Sequence, residues 1–540
     1  MRTSFVLAQL ARRCARALLL AICLQLLLLG ESLAQGDPAD LICPRSQPGA
    51  ELEQPANLFS SKGTLEVTLH FRRASTSAGS VRYCYLTDDG QESPTLHVKP
   101  GDRLLIHLKN ELGAALKGKQ RMAGCDAPVM NPDATNIHFH GTNTAPICHQ
   151  DEVLQTMIQP GQTFDYDVPI PKNASPGLYW YHPHPHGASE TQVLGGATGA
   201  LIVDGIETQV PSLAGMPEAV IMLRDQLVTA TASTNAESEG LGQPGWDATV
   251  NYSPVIFPNY VTPQLHVRPE QQQFWRVANT AANSIFILQY LVSEKPQPVQ
   301  LVAVDGVPIA NGPETRKTIQ LGPGARAEFI LTTPKNGETG DLVSLAHDTG
   351  PDGESDPVRP LIAVVPGDDA PELRRLPKVA NEVLPPRQQQ LEDVKPSTER
   401  LLYFSEERQG VGFNSPVSFF ITVEGQTPQT FRMGQKPNIV LRSGTVEDWT
   451  IENRSQESHV FHIHQIHFRV LEVDGKPVRD PALRDTIEIP WSEAGGPYHK
   501  VKLRMDFRDP NIVGTFLFQC HIMQHEAGGM MGKIQVLPQP

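Results

Sequence analysis

The chain has 540 residues, which is too long for one ordinary hydrophobic core and indicates about three domains. Its composition, with 39% hydrophobic and 19% charged residues, is typical of a soluble globular protein. The formal net charge of -14 argues against nucleic acid or an anionic lipid surface as a partner.

Residues 1–34 have the pattern of a secretory signal sequence. Four arginines precede the apolar run ALLLAICLQLLLLG, and the small-residue stretch SLA ends at Ala34. This run is shorter than the roughly 20 residues that span a bilayer, so we expect cleavage after Ala34 and no stable membrane insertion afterwards. We expect a periplasmic or extracellular protein, whose net charge would change from -14 to -17 on losing four arginines and Glu31.

Four cysteines lie in the N-terminal third of the predicted mature chain: Cys43, Cys84, Cys125 and Cys148. In an exported protein they allow up to two disulfides, each worth about 2–4 kcal/mol. Free buried thiols are the less favoured alternative outside the cytoplasm. The pairing stays open, because sequence alone does not give connectivity.

An internal repeat divides the chain. The stretches PTLHVKPGDRLLIHLKN, PQLHVRPEQQQFWRVAN and PNIVLRSGTVEDWTIEN occupy residues 94–110, 263–279 and 437–453. Each has the alternation of one strand, a turn, and the alternation of a second strand. Their starts are 169 and 174 residues apart, so the repeating unit is a domain.

The fold class expected from this pattern is all-β, with three β-sandwich domains in tandem. The 47 prolines and 43 glycines are spread along the chain, and long amphipathic helical patterns are scarce. We place the domains at 35–205, 206–370 and 371–540. Residues 367–398 are proline-rich and charged, which indicates a linker.

Eleven of the 18 histidines fall in four clusters, two in the first domain and two in the third. They are HFHG at 138–141, HPHPHG at 182–187, HVFHIHQIH at 459–467, and His521 with His525. The middle domain has no such cluster, so we interpret it as a spacer that lets the outer domains meet. The alternative is that its strands at 263–279 and 298–309 line a substrate surface.

Within these clusters the spacing predicts pairs of imidazoles on one strand face, because residues two apart point the same way. The pairs are His138 with His140, His182 with His184, His462 with His464, and finally positions 519 and 521, where Gln519 replaces a histidine. Pairs from both outer domains predict a metal cluster at their interface. Histidines alone suit copper, zinc, iron or nickel, and a structural zinc site is the alternative for any single pair.

The last cluster narrows the choice of metal to copper. Cys520 points away from His521, and with His459, His525 and Met530 it supplies a thiolate, two nitrogens and a weak thioether. This is the ligand set of a blue-copper site. Electrons could then pass along the backbone from Cys520 to His521.

These four motifs, in this order and spacing, resemble those of the three-domain multicopper oxidases, the laccase-like family that includes bacterial copper-efflux oxidases and spore-coat laccases. The likeness covers nearly all of the predicted mature chain and implies three cupredoxin-like Greek-key domains. It implies four coppers: type 1 on His459, Cys520 and His525 with Met530 as axial ligand; type 2 on His138 and His462; one type 3 on His140, His182 and His521; and a second type 3 on His184 and His464, with Gln519 in its third ligand position.

Gln519 departs from the family pattern, in which a histidine stands before the cysteine. A neutral amide oxygen is a harder and weaker copper ligand than imidazole, so that copper should be held loosely. Three outcomes stay open: Gln519 ligates or leaves an open position with activity retained, His186 substitutes if its strand continues, or oxygen reduction is impaired. We favour the first outcome, because the other nine histidine ligands, seven in the cluster and two at the type 1 site, are all in place.

Two acids resemble carboxylates that deliver protons to reduced oxygen in the family. Glu526 follows His525, and Asp151 lies in the loop after HFHG. Such general-acid work requires carboxyl groups close to the cluster. For Asp151 the alternative is a solvated loop acid.

The resemblance implies a secreted oxidase that couples one-electron oxidation of phenols, aromatic amines or metal ions to the four-electron reduction of dioxygen to water. The alternative is a non-catalytic or impaired cupredoxin scaffold or copper-handling protein, because of Gln519. Nitrite reduction ranks last, since it usually goes with two domains and fewer histidine ligands. The eleven methionines form no methionine-rich tract, which favours organic donors over cuprous ion.

Overall fold

The computed structural model describes residues 37–77, 79–113, 124–125, 131–227, 243–378, 391, 394–410 and 415–540. The predicted signal sequence and part of the predicted linker lie outside these residues. Within the described part of the chain, no helix is long and apolar enough to cross a membrane.

The first sandwich packs a five-stranded sheet, in the order β1-β4-β9-β8-β6, against a four-stranded sheet, in the order β3-β2-β5-β7. In β5 the buried residues Leu104, Ile106 and Leu108 alternate with more exposed ones, as the sequence pattern predicts. The strands are β1 (Asn57–Phe59), β2 (Thr64–Ser75), β3 (Val81–Leu86), β4 (Thr95–Val98), β5 (Arg103–Asn110), β6 (His138–His140), β7 (Thr163–Pro169), β8 (Gly177–His182) and β9 (Gly199–Val203).

The middle sandwich packs an eight-stranded sheet, with the path β12-β11-β10-β14-β21-β17-β18 and β19 beside β17, against a six-stranded sheet, with the path β13-β23-β22-β15-β16 and β20 beside β15. Its strands are β10 (Glu218–Leu227), β11 (Trp246–Val250), β12 (Ser253–Val255), β13 (Gln264–Val267), β14 (Gln272–Asn279), β15 (Phe286–Val292), β16 (Lys295–Gln297), β17 (Val299–Val304), β18 (Val307–Pro308), β19 (Glu314–Arg316), β20 (Ile319–Leu321), β21 (Arg326–Thr332), β22 (Gly340–Leu345) and β23 (Arg359–Pro366).

The third sandwich has a six-stranded sheet, in the order β25-β24-β27-β32-β29-β30, and a five-stranded sheet, in the order β26-β34-β33-β28-β31. Its strands are β24 (Thr398–Arg408), β25 (Val417–Val423), β26 (Ile439–Arg442), β27 (Thr445–Asn453), β28 (His459–Ile463), β29 (Phe468–Val473), β30 (Lys476–Pro477), β31 (Thr486–Ile489), β32 (His499–Phe507), β33 (Gly514–Cys520) and β34 (Met531–Leu537). The predicted fold class is therefore confirmed. The domain limits stay a prediction, although the strands of each sandwich lie within them.

Helices are short among the described residues. The α-helices are α1 (Ser189–Leu194), α2 (Ile206–Gln209) and α3 (Met523–Ala527), and the 3-10 helices are Pro38–Leu41, Pro211–Leu213 and Pro510–Ile512. Two of these elements matter for the site, because α1 of the first sandwich packs against α3 of the third.

The sequence repeat has the same structure in all three sandwiches. In each copy the first strand belongs to one sheet and the second strand to the other, so the turn carries the chain across the sandwich. The final asparagine of each copy, Asn110, Asn279 or Asn453, is buried and donates from Nδ2 to backbone carbonyl groups of nearby loops. This repeated asparagine therefore anchors loops, since buried carbonyl groups need hydrogen-bond partners.

Both expected disulfides are present. Cys43 is bonded to Cys84, and Cys125 is bonded to Cys148. Cys520 is a buried free thiol. The second disulfide closes the loop that leads to Asp151.

The middle sandwich packs against both of its neighbours. One small apolar cluster brings together Val193 of the first sandwich, Ala282 of the middle one and Met523 of the third. Another joins Trp180 to Met222 across the boundary between the first and middle sandwiches. The three sandwiches therefore meet around the region to which the histidine motifs belong.

Candidate metal centre

Cys520, His459 and His525 lie together, buried in the third sandwich. His459 begins β28, Cys520 ends β33, and His525 lies in α3. The Cys520 sulfur is 3.7 Å from His459 Nδ1 and 3.6 Å from His525 Nδ1, and the two nitrogens are 3.0 Å apart. Two imidazole nitrogens and a sulfur at these separations can close on one metal ion.

Partners on the far side of each ring fix the two histidines. His459 Nε2 lies 2.8 Å from Ser455 Oγ and 3.1 Å from Glu406 Oε1, while His525 Nε2 is 2.5 Å from Glu457 Oε1. A carboxylate behind a ligating imidazole orients the ring and raises its basicity. This leaves both Nδ1 atoms directed at the sulfur.

The electrostatics favour a thiolate at this site. Burial raises the pKa of Cys520, but the two imidazoles outweigh burial and lower it to about 6. Burial lowers the pKa of His525, but Glu457 and Cys520 outweigh burial and raise it well above its ordinary value. The thiolate is the form of cysteine that binds metals.

Met530 lies beside this group. Its carbonyl accepts from Cys520 N at 3.1 Å, its amide donates to the carbonyl of His525 at 3.0 Å, and its side chain is buried in the same apolar cluster as Cys520. The fold thus places the backbone of the predicted fourth ligand beside Cys520 and His525.

On the opposite face of β33, the remaining histidine motifs converge. His138 of β6 is directly opposite His182 of β8, and the imidazole of His138 stacks on His464 of the third sandwich with ring centres 3.9 Å apart. His140 stacks in the same way on His462, also at 3.9 Å. The predicted cluster between the first and third sandwiches is therefore assembled.

Nine ring nitrogens of this cluster are buried and have no hydrogen-bond partner among the described residues. They are Nε2 of His138, His140, His182, His184 and His462, and both ring nitrogens of His464 and His521. Buried polar atoms are almost always hydrogen-bonded, so this many orphans in one place requires another partner. Nitrogen lone pairs gathered from several rings fit a copper cluster.

The surroundings of five of these rings favour the neutral form of the imidazole. Burial is the main cause that lowers the pKa of His140, His182, His462 and His464 well below the ordinary value. Neighbouring imidazoles add to this effect, and at His462 the Asp485 carboxylate partly opposes it. Burial also lowers the pKa of His521 to about 3. A neutral imidazole is the form that binds a metal, so these rings are ready to bind without releasing a proton.

A buried ion pair that the sequence motifs do not reveal lies behind the cluster. Arg326 of the middle sandwich makes two 2.7 Å hydrogen bonds to Asp485 of the third. His140 Nδ1 lies 3.1 Å from Arg326 Nη1 and 3.6 Å from Asp485 Oδ1, and His462 Nδ1 is 2.8 Å from the Asp485 carbonyl. Asp305 of the middle sandwich accepts the backbone amides of Arg326 and Asp485.

The middle sandwich is therefore more than the spacer predicted from its lack of histidines. Besides Arg326, it brings Gly324 so close that a Cβ there would lie 2.9 Å from His140 Nε2. No spacing rule connects Arg326 to Asp485, because they are 159 residues apart and meet only through packing.

Gln519 lies in the cluster, directly opposite His462 in the pairing of β33 with β28. It is fully buried, and neither amide atom has a hydrogen-bond partner of ordinary geometry within the described ranges. Burial lowers the pKa of His184, and the Gln519 amide partly opposes that shift. The amide is thus close to the ring with which it was predicted to share a copper.

His186 was predicted to substitute as a copper ligand only if its strand continued past His184, and the strand does not. Strand β8 ends at His182, and the His186 ring packs edge-on against Phe431 at 5.0 Å. The ring contacts among the described cluster histidines do not include His186.

The two predicted acids are both buried next to the cluster. Asp151 Oδ1 lies 2.9 Å from His138 Nδ1, so the reading of Asp151 as a solvated loop acid is wrong. Glu526 Oε1 accepts from Ser189 Oγ of α1 at 2.7 Å, and its Oε2 has no partner among the described residues. Ser189 escaped sequence reasoning because it is 337 residues away from Glu526 along the chain.

An acidic cleft lies beside His525, at the boundary of the middle and third sandwiches. Its lining includes Glu354, Asp356 and Glu457 together with His525 itself. Burial, and then the carboxylates of Glu457 and Asp356, raise the pKa of Glu354. The cleft therefore places three carboxyl groups next to the thiolate site, one of which, that of Asp356, is paired with Arg359 at 2.7 Å.

Comparisons with known proteins agree with this geometry. Two family models described as multicopper oxidase match residues 129–208 and 394–540, the segments that contain the predicted ligands. Multicopper oxidase mco of Staphylococcus haemolyticus is 26% identical over 454 residues, which cover 82% of this chain and 81% of that protein.

Two solved structures have the same fold. The 2F4 variant of multicopper oxidase McoA from Aquifex aeolicus has a TM-score of 0.67 at 20% identity, covering 91% of this chain and 100% of that one. A multicopper oxidase from Campylobacter jejuni, described as a metallo-oxidase, has a TM-score of 0.65 at 22% identity, covering 92% and 96%. Residues 129–208 and 394–540 are therefore multicopper oxidase domains, and together with the clustered copper-type ligands between them they identify an oxidoreductase that uses dioxygen as electron acceptor.

Proposed function

We propose that this protein takes single electrons from a cationic reductant at the Cys520 site and uses them to reduce dioxygen to water at the histidine cluster. The observation that carries the proposal is the gathering of seven buried imidazoles with unpartnered ring nitrogens, one of which, His521, directly follows Cys520 in the chain. Copper bound at both places would supply one-electron redox chemistry and the binding of dioxygen.

The residues proposed to hold copper are those whose geometry fits it. At the thiolate site they are His459, Cys520 and His525, with Met530 beside them. At the cluster they are His138, His140, His182, His184, His462, His464 and His521, with Gln519 as the weak member.

The backbone connects the two sites directly. Cys520 and His521 are neighbours in sequence, yet their side chains serve opposite faces of the end of β33. His521 N also donates to the carbonyl of Val460, while Val460 N donates to the Cys520 sulfur. Electrons can therefore pass from the Cys520 site to the cluster by two routes. One is the covalent chain between Cys520 and His521, and the other is the pair of hydrogen bonds through Val460.

Glu526 is suited to supply protons to the cluster. Its carboxyl group is fully buried, has one oxygen without a partner among the described residues, and is held by Ser189 at 2.7 Å. A carboxyl group fixed in this way can deliver a proton to a reacting oxygen and be reprotonated through the serine hydroxyl.

The acidic cleft supports a small cationic donor, a metal ion, over an organic donor. Negative charge in a cleft with low-dielectric walls raises the local concentration of cations. Glu457 also bridges the cleft to His525 Nε2, so a donor held there would be in contact with the thiolate site. This weighs against the preference for organic donors that the lack of a methionine-rich tract suggested.

The test is to load the purified protein with copper, count the bound ions, and record visible and paramagnetic spectra. Oxygen uptake is then measured with ferrous ion, a protonated aromatic amine and a neutral phenol. We expect a blue absorption band, oxygen uptake, and a higher kcat/KM for ferrous ion than for either organic donor. Protein that binds copper but consumes no oxygen would instead establish the impaired scaffold that Gln519 suggests.

Export is part of the proposal. Two disulfides in the first sandwich suit an oxidising compartment, and the signal-like N-terminus supplies the route. N-terminal sequencing of protein recovered from the cell exterior or periplasm should begin at Gln35. Recovery of the intact N-terminus from the cytoplasm alone would contradict export.

A further inference from the structure

We propose that Gln465 is a positioning residue that locks Asp151 against His138 and so keeps the first and third sandwiches in register at the cluster. The inference rests on the proposed function, because its importance lies in holding a copper ligand. It concerns a residue inside the HVFHIHQIH motif that has no role as a ligand itself.

Gln465 joins the two sandwiches by both its side chain and its backbone. Its Nε2 donates to Asp151 Oδ2 at 2.5 Å, and its carbonyl accepts from Asn143 Nδ2 at 2.7 Å. Both partners belong to the loop that follows HFHG in the first sandwich. Gln465 is itself 2% exposed, so these contacts are shielded from water.

The backbone of Gln465 indicates that the side chain matters. Its φ is +60°, in the left-handed region that favours glycine and costs other residues energy. A long side chain is held in such a conformation only where the surrounding contacts compensate for it. Here the compensating contacts are those to Asp151 and Asn143.

Asp151 passes this constraint on to His138. Its Oδ2 accepts from Gln465, while its Oδ1 accepts from the backbone amide of Phe139 and lies 2.9 Å from His138 Nδ1. With both oxygens engaged, Asp151 is better suited to orient the His138 ring than to carry protons. The ring is thereby set with its unpartnered Nε2 toward the cluster.

His464 connects Gln465 to His138 by a second route. It is the residue before Gln465, and its ring stacks on His138 at 3.9 Å. The short chain from His464 to Gln465, to Asp151 and back to His138 therefore closes a loop across the boundary of the two sandwiches. Removing a carboxylate that is hydrogen-bonded to a metal-ligating histidine typically lowers metal affinity by about 10–100-fold.

Two variants test the inference. Gln465→Gly relieves the left-handed backbone and removes the amide, while Gln465→Asn tolerates that backbone with a side chain one methylene too short. The matched control is Glu294→Gly, which relieves a φ of +63° on the exposed hairpin between β15 and β16.

Two readouts separate positioning from folding. In the metal-free protein, hydrogen exchange at the amide of Phe139 should quicken in both Gln465 variants and not in Glu294→Gly. In the copper-loaded protein, a chelator should remove cluster copper about tenfold faster from both variants, with loss of the type 2 paramagnetic signal and no change in the blue band.

Wild-type exchange at Phe139 and wild-type copper retention in both Gln465 variants would overturn the inference and leave the proposed function intact. Loss of the blue band together with the cluster signal would also overturn it, because the effect would then be general unfolding. If wild-type protein takes up no cluster copper, the proposed function fails, and the exchange measurement still decides whether Gln465 holds Asp151.

Discussion

The end of β33 separates two sites whose imidazoles are held in different ways. On the Cys520 side, His459 and His525 are backed by the carboxylates of Glu406 and Glu457, and their pKa values are raised because the nearby anions outweigh burial. On the cluster side, burial and repulsion between neighbouring imidazoles lower the pKa values of His140 and His464. Nearby anions therefore favour protonated imidazoles at the thiolate site, whereas burial favours neutral imidazoles in the cluster.

The two sides also differ in where their parts come from. The three groups of the thiolate site and both of its carboxylates belong to the third sandwich. The cluster needs rings from two sandwiches and the Arg326 side chain from the remaining one. The thiolate site should therefore tolerate changes at domain boundaries that the cluster does not.

The largest effect is expected for Cys520→Ser, which removes the only soft anionic ligand. We expect complete loss of the blue band and of donor oxidation, with cluster copper retained because its rings are untouched. Visible spectra, copper analysis and oxygen uptake check this. A variant that keeps the blue band would show that Cys520 is not the ligand that produces it.

Asp485→Asn tests whether the cluster depends on all three sandwiches. It removes the carboxylate that makes two hydrogen bonds to the buried Arg326 and leaves Asp305, 3.7 Å away, as the remaining carboxylate. Breaking a fully buried pair costs up to about 3–5 kcal/mol of unfolding free energy. Cluster copper should also be lost about 10–100-fold faster, since the groups behind His140 and His462 are disturbed.

The control for Asp485→Asn is Asp448→Asn, which breaks a bidentate pair with the partly exposed Arg504 in the third sandwich. It should cost less unfolding free energy than Asp485→Asn, because the Arg504 side chain is partly exposed and can be hydrated, and it should leave copper in place. Equal copper loss in both variants would refute the special dependence of the cluster. Denaturant unfolding and chelator challenge supply the measurements.

Gln519→His tests whether position 519 binds copper in the cluster. A third imidazole for the weak copper position should raise cluster copper occupancy and slow its loss to a chelator by about tenfold, with higher turnover. Gln519→Leu fills the site without a ligand atom and should lower occupancy below wild type. Three proteins with the same copper content would show that position 519 is not a ligand position.

The smallest effect is expected for Glu354→Gln, in the cleft beside His525. Removing one of three carboxylates should raise the KM for ferrous ion by about 3–10-fold and leave the KM for a neutral phenol unchanged. Because burial and neighbouring acids raise the pKa of Glu354, its ionised form is reached only at higher pH than for an ordinary glutamate. The wild-type KM for the cation should fall as pH rises through that raised pKa, and Glu354→Gln should lack this dependence.

Much of the fold was predictable because it depends on local patterns. Alternation of apolar and polar residues predicts strands such as β5, and the repeat with its terminal asparagine predicts three copies of one sandwich. The two-residue spacing of His138 and His140 predicts a shared face, and both rings do reach the cluster. His186 shows the limit of such rules, since β8 ends four residues before it.

The sequence by itself determined which ligand atoms this protein offers and that they occur in two outer domains, because ligand type and strand periodicity are local properties. Tertiary structure alone decided that Arg326 meets Asp485, that Gln465 reaches Asp151, and that Ser189 holds Glu526. These pairs join residues more than a hundred positions apart, and their contacts follow from how the sandwiches pack. No periodicity along the chain encodes that packing.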